Sequence, residues 1–217
     1  MRYRLAVFDM DGTILNTLTD LKNALNHALR ESGMPERTLD EVRCFVGNGI
    51  RLLIERGVPA NTPVEKIDRV FDCFNRYYAL HCADTTAVYD GINEAIAALR
   101  QKGVLTAVVS NKSDYAVQEL CPRYFDGLFD YAVGVKEDIP KKPAPDMVEQ
   151  VMRKLGVSRR DTVYIGDSNV DLQTAANTGI DCLSVDWGFR TREELVAAGA
   201  SVILSNPTQL IPYIIGE

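Results

Sequence analysis

Five short apolar runs recur along the chain, at Leu5 to Phe8, Val104 to Val109, Tyr131 to Val135, Thr162 to Ile165 and Cys182 to Val185. Each is the length of a buried strand, and their β-branched content with little alternation predicts strands covered on both faces. Between most of them lie patterns of helical period. Ile92, Ala95, Ile96 and Leu99 precede Gly103, and Val148, Val151, Met152 and Leu155 precede Gly156, so two helices are expected to end at glycine caps. A third, Leu172 to Ala176, runs to Gly179. Strands alternating with helices of this size predict an α/β fold whose core is a doubly wound, parallel, Rossmann-like sheet.

The alternation fails over residues 15–85, where four helical segments follow one another without a convincing strand. Leu18, Leu21, Leu25, Ala28 and Leu29 make one apolar stripe, and Val64, Ile67, Phe71, Phe74 and Tyr78 make the longest. Thr38 with Glu41 and Thr62 with Glu65 fit capping boxes, the latter with Pro63 at the first helical position. The expected organisation is therefore a core of residues 1–14 and 86–217, interrupted by a small α-helical domain over 15–85.

Composition narrows the chemistry. A net charge of -6 and a pI near 5.1 are a poor footprint for a nucleic-acid backbone or an anionic membrane, so small-molecule or protein partners are favoured. The apolar stretch before Asp9 is too short for a signal-peptide core or a membrane span, which makes the expected address cytoplasmic. Five scattered cysteines with no C-x-x-C pair give neither a disulfide framework nor a zinc site. The two histidines, His27 and His81, sit in helical patterns remote from the acidic motifs. Monomer and dimer both stay open.

In an open parallel sheet the ligand crevice lies beyond the carboxyl ends of the strands, and here those ends are acidic. The first strand runs into Asp9-Met10-Asp11-Gly12-Thr13. In extended backbone, side chains two apart face the same way, so Asp9 and Asp11 point into one crevice. Gly12 permits the turn out of the sheet, and Thr13 offers a donor to an anion. Later strand ends deliver Ser110-Asn111-Lys112 and Gly166-Asp167-Ser168-Asn169-Val170-Asp171, and Lys142 opens Lys142-Pro143-Ala144-Pro145 after the third. Taken singly these are turn residues, helix caps and a solvated lysine. Taken together, at successive strand ends, they point to a site.

This set of motifs resembles the haloacid dehalogenase-like hydrolase superfamily, and within it the phosphatases with a helical cap after the first strand, phosphoglycolate phosphatases above all. The match covers nearly the whole chain: D-x-D-G-T at Asp9, Asp11, Gly12 and Thr13; Ser110; K-P-x-P at Lys142; and G-D-x-x-x-D at Gly166, Asp167 and Asp171. The resemblance implies that Asp9 is the nucleophile forming an aspartyl-phosphate and Asp11 the general acid and base. It implies a magnesium ion on Asp9, Asp167 and the Asp11 carbonyl, with Lys142, Ser110, Thr13 and Asn111 receiving the phosphoryl group and Asp171 orienting Lys142 or a metal-bound water. Gly49 and Arg51 resemble the cap segment that faces the substrate. Asn16-Thr17 departs from the Asp-Ser common in close relatives. The second carboxylate, Asp11, favours a phosphate ester or anhydride over a halide or phosphonate. Phosphoglycolate, pyrophosphate, a sugar phosphate and a nucleotide remain open as substrates, as do a phosphomutase and a non-catalytic phosphoryl-binding protein. Specificity is expected in the cap and in loops such as Trp187-Gly188-Phe189-Arg190.

Overall fold

The computed structural model describes residues 1–216. Contacts divide the chain into two compact units, Met1–Leu15 with the chain from Val88 onward, and Asn16–Ala87.

The larger unit is built on a parallel six-stranded sheet. Its first strand, β1 (Leu5–Phe8), is wholly buried. The chain leaves through β2 (Leu15–Asn16), passes four helices, α1 (Leu18–Glu31), α2 (Leu39–Phe45), α3 (Ile50–Gly57) and α4 (Val64–His81), and returns through β3 (Ala87–Val88). The core then continues as α5 (Ile92–Gln101), β4 (Leu105–Ser113), α6 (Asp114–Phe125), β5 (Tyr131–Val135), α7 (Asp146–Leu155), β6 (Thr162–Gly166), α8 (Asn169–Thr178), β7 (Asp181–Val185), α9 (Arg192–Ala197), β8 (Ile203–Leu204) and α10 (Leu210–Ile215). The strand order is β5-β4-β1-β6-β7-β8, and β2 pairs with β3 separately. Strand order reverses at β1, whose neighbours are β4 on one side and β6 on the other, so the crevice of a doubly wound sheet falls at the carboxyl ends of these three strands.

Residues of one parity line one face. Leu5 and Val7 of β1, Ala107 and Val109 of β4, Val133 of β5 and Tyr164 of β6 pack with Met147, Val148, Val151 and Met152 of α7 and Ala175 of α8. Each such aliphatic side chain, fully buried, contributes roughly 1.5–3 kcal/mol, so this apolar face holds the strand ends in register. Phe8 pairs with Val108 and with Ile165, which brings Asp9 level with the ends of β4 and β6.

Three local expectations need correction. The fourth strand runs on to Ser113, so Ser110, Asn111 and Lys112 lie within it and not in a following loop. The pairing of β4 with β5 shifts between Val109 and Ser113, and Gly134 allows this: a Cβ there would lie 2.5 Å from the Lys112 carbonyl. Helix α4 starts one residue later than its capping signal implies, with Pro63 as N-cap; the Thr62 hydroxyl turns back to donate to the Pro59 carbonyl at 2.6 Å. The two-residue strand β8 is too short to register as an apolar run, and it completes the sheet edge by pairing with β7. The box at Thr38 and Glu41 forms, and Gly156 and Gly179 cap their helices in the left-handed conformation.

In the helical unit, α1 opens with a buried carboxylate that ties the beginning of the insert to its end. Asp20 accepts from the backbone N–H and hydroxyl of Thr85 at 3.0 and 2.6 Å, and from those of Thr86, both at 2.8 Å. Replacing Asp20 with Ala strands these donors, and the expected loss is on the order of 3 kcal/mol in urea unfolding. A loss under about 0.5 kcal/mol, the scale of an ordinary surface substitution, would show the tie to be energetically idle.

Candidate active site

Asp9 follows the last residue of β1, and its backbone N–H donates to the Ile165 carbonyl at 2.9 Å, so the sheet ladder still fixes its position. Its carboxylate Oδ1 accepts from the Met10 N–H at 2.7 Å and lies 2.8 Å from Lys142 Nζ. Gly12, at φ +86°, then turns the chain in a conformation that disfavours a side chain; a Cβ there would also stand 2.3 Å from Asp167 Oδ2. Thr13, fully buried, donates its hydroxyl to Asp167 Oδ1 at 3.2 Å.

Lys142 is buried with its ammonium among three oxygens. It donates to Asp171 Oδ1 at 2.8 Å and to the Tyr164 hydroxyl at 3.0 Å, besides facing Asp9. The Tyr164 hydroxyl donates in turn to the Val109 carbonyl at 3.2 Å. Asn111 grips the lysine backbone from both sides: its amide donates to the Lys142 carbonyl at 3.0 Å, and its carbonyl accepts the Lys142 N–H at 2.8 Å. Asn111 thus spends its amide on placing Lys142. Asp171 is equally committed, because its Oδ2 accepts both the N–H and the hydroxyl of Ser168 in the capping box that starts α8.

Asp11 sits at the rim. Its two carboxylate oxygens are 3.1 and 3.3 Å from the ammonium of Lys112, whose side chain is only 2% exposed. Ser110, at the same strand end, accepts the Lys112 backbone N–H on its hydroxyl at 3.2 Å. Gly49 and Arg51 belong to the helical unit. Gly49, at φ +87°, caps α3, and Arg51 pairs with Glu55 at 2.8 Å and Asp68 at 2.5 Å.

The electrostatics follow from burial. Asp9, Asp167 and Asp171 can bring carboxylate oxygens within 4.8 Å of one another, the one such acidic cluster among the described residues. Burial pushes the Asp9 carboxyl well above the usual carboxylate range, and Asp171 adds to the rise against the pull of Lys142. Burial likewise raises Asp167, to about 7, with Asp171 next in weight. For Lys142 burial opposes the charge, yet Asp171 and Asp9 outweigh it and hold the ammonium well above its ordinary range. Three buried carboxylates therefore face one buried ammonium, a surplus of negative charge that a divalent cation relieves. Asp9 and Asp167 offer hard carboxylate oxygens of the kind magnesium takes, while Asp171 is tied to the Lys142 ammonium and to Ser168.

The sequence motifs thus bring Asp9, Asp11, Thr13, Ser110, Lys142, Asp167 and Asp171 together at the carboxyl ends of the central strands. Sequence reasoning did not single out Tyr164, although a hydroxyl in the middle of an otherwise apolar buried strand has to find a partner. Nor did it resolve Lys112, which takes Asp11 instead of facing water.

A crevice of this build, with a buried acidic cluster and an adjoining lysine at the switch point of a parallel sheet, lies where doubly wound α/β enzymes bind their ligands. The family described as haloacid dehalogenase-like hydrolase matches residues 6–185, and the chain belongs to it. A phosphoglycolate phosphatase of Pseudomonas syringae pv. tomato is 31% identical over 215 residues, covering 96% of this chain and 79% of the relative. A crystal structure from Lactobacillus delbrueckii subsp. bulgaricus superposes with a TM-score of 0.96 at 40% identity over the whole of both chains. CbbY from Rhodobacter sphaeroides, solved in complex with phosphate, gives 0.74 at 28% identity over 96% of each chain. Among the described residues no helix is long and apolar enough to cross a membrane.

The raised carboxylates set a pH prediction. Folded Asp167 keeps its proton to about pH 7, whereas the unfolded group loses it near its ordinary value of 3.8. Between those values the folded state binds more protons, so the metal-free protein loses stability as pH rises through this window. Magnesium should therefore raise the unfolding temperature more at about pH 8 than at about pH 5. An equal rise at both would remove the carboxylates from the metal site.

Proposed function

We propose that this chain is a magnesium-dependent phosphatase that hydrolyses a small phosphorylated metabolite of the phosphoglycolate kind through a phosphoryl group carried on Asp9. The observation that carries the reading is the pairing of Asp9 with a fully buried Lys142 at 2.8 Å, beside Asp167. A carboxylate so placed faces an incoming phosphoryl dianion next to the cation that offsets its charge. The relatives support it: the Pseudomonas protein bears the name phosphoglycolate phosphatase, and the Rhodobacter neighbour was solved with phosphate.

In this reading an Asp9 oxygen attacks phosphorus in line; the Asp9–phosphoryl bond forms as the ester P–O bond breaks. Asp11, released in its protonated form from its ion pair with Lys112, gives that proton to the leaving oxygen. It then takes a proton from the water that attacks the phosphoryl group, and the Asp9–phosphorus bond breaks to free phosphate. Ser110 and Thr13 receive phosphoryl oxygens, while Lys142, fixed by Asp171, Tyr164 and Asn111, faces the dianion. Asp9 and Asp167, with the Asp11 carbonyl, would hold magnesium, which when bound offsets the negative charge that gathers in the transition state.

The helical unit is assigned the role of a cap that discriminates between substrates, with Gly49 and Arg51 as the residues to test. Arg51 already holds Glu55 and Asp68, so binding a substrate carboxylate requires it to exchange a partner. Arg51→Ala should raise the KM for phosphoglycolate more than that for a phosphate ester without a second charge. Equal effects on both would reduce Arg51 to a surface residue of the helical unit.

The decisive measurement is phosphate release from a panel of phosphorylated metabolites with and without magnesium, phosphoglycolate included. Asp9→Asn should abolish both turnover and covalent labelling. Asp11→Asn should lose roughly 10²–10⁴ in turnover yet accumulate phosphoenzyme from an aryl or acyl phosphate, whose leaving group needs no proton. If no phosphorylated Asp9 peptide appears after rapid quench of either wild type or Asp11→Asn, the covalent route is wrong.

A further inference from the structure

We propose that the segment Asp186–Arg190, which leaves the carboxyl end of β7, is a positioning strap that holds Asp167 and the turn after Asp11 in place for the metal. This inference rests on the magnesium reading above. Three contacts carry it. The Trp187 indole N–H donates to the Thr13 carbonyl at 3.0 Å, reaching the first motif from the end of β7, two strands away from β1. The Phe189 N–H donates to Asp167 Oδ2 at 2.7 Å, so the strap joins the Thr13 hydroxyl in orienting this carboxylate. Between them Gly188 lies against both: a Cβ there would stand 2.2 Å from the Gly12 carbonyl oxygen and 2.4 Å from Asp167 Cβ. Gly188 is not among the residues of positive φ, so its need for glycine is one of space and not of backbone conformation.

The strap is anchored at its start. Asp186 accepts from Arg192 and from the Ser205 hydroxyl, each at 2.8 Å, which joins the loop to the chain around α9 and β8. A segment pinned at one end and bonded twice to the acidic crevice spares Asp167 the cost of being ordered when a cation arrives. Gly188, Trp187 and Phe189 are accordingly positioning residues, acting through Asp167 and Thr13.

Trp187 is the single tryptophan of the chain, so its emission reports on the strap directly. Magnesium affinity is to be measured by titration calorimetry on the full chain, with tryptophan emission followed in the same titration and unfolding followed in metal-free buffer. Wild type should bind magnesium and change its Trp187 emission with the same midpoint. Gly188→Ala should bind at least about tenfold more weakly, the scale of losing an outer-shell support, and Trp187→Phe, which keeps an aromatic side chain and removes the donor, about threefold more weakly. Folded variants with wild-type magnesium affinity overturn the strap alone, even if their metal-free unfolding temperature falls, since that is what a purely structural loop would show. Should Gly188→Ala fail to fold, Trp187→Phe decides: weaker magnesium binding supports the strap, and unchanged binding overturns it. No magnesium binding by wild type overturns the metal reading and the strap with it.

Discussion

The buried ammonium of Lys142 is the charge on which the site's other groups depend. Two carboxylates, Asp9 and Asp171, and the Tyr164 hydroxyl surround it. Taking an ion pair out of water costs several kcal/mol per charge, and it is tolerated only where the remaining hydrogen bonds are satisfied. Here they are: Tyr164 donates to the Val109 carbonyl, Asp171 accepts from Ser168 on its other oxygen, and Asn111 fixes the lysine backbone. The same arrangement that lets Lys142 stay charged leaves Asp9 beside it, facing the crevice.

Asp167 adds a third carboxylate to this cluster, offset only in part by Arg190 and Lys142. The raised carboxyls of Asp9 and Asp167 are the physical expression of this surplus, and they connect folding to function. Like charges held this close are the arrangement that a divalent cation would relieve. The apolar packing of the sheet on α7 and α8 offsets the cost of burying these charges.

Close approach of backbone is the second constraint. Gly12 and Gly188 press on Asp167 from two chain segments far apart in sequence, where a single methyl group would collide with it. The acidic crevice therefore rests on missing side chains as much as on the groups that carry charge. By contrast, exposed pairs such as Arg30 with Glu36 or Arg159 with Glu149 add little to the whole, since solvent screens them.

The sequence by itself determined the parallel α/β core, the helical stretch within it and the identity of the acidic motifs, because strand and helix periods and strand-end residues are local properties of the chain. The apolar runs at Leu5, Val104, Tyr131, Thr162 and Cys182 all became strands. Only the tertiary structure decided which neighbour each polar group would take. That Lys112 holds Asp11, that Asn111 spends its amide on Lys142, and that Tyr164 lies beneath the site all depend on the register of β4 against β1 and of β1 against β6. The extension of β4 to Ser113 and the capping of α4 by Pro63 were settled in the same way, by a glycine on the adjoining strand and by a backbone carbonyl within reach of Thr62. Residues more than a hundred positions apart meet only when the sheet closes, and no local pattern records the distance at which they do.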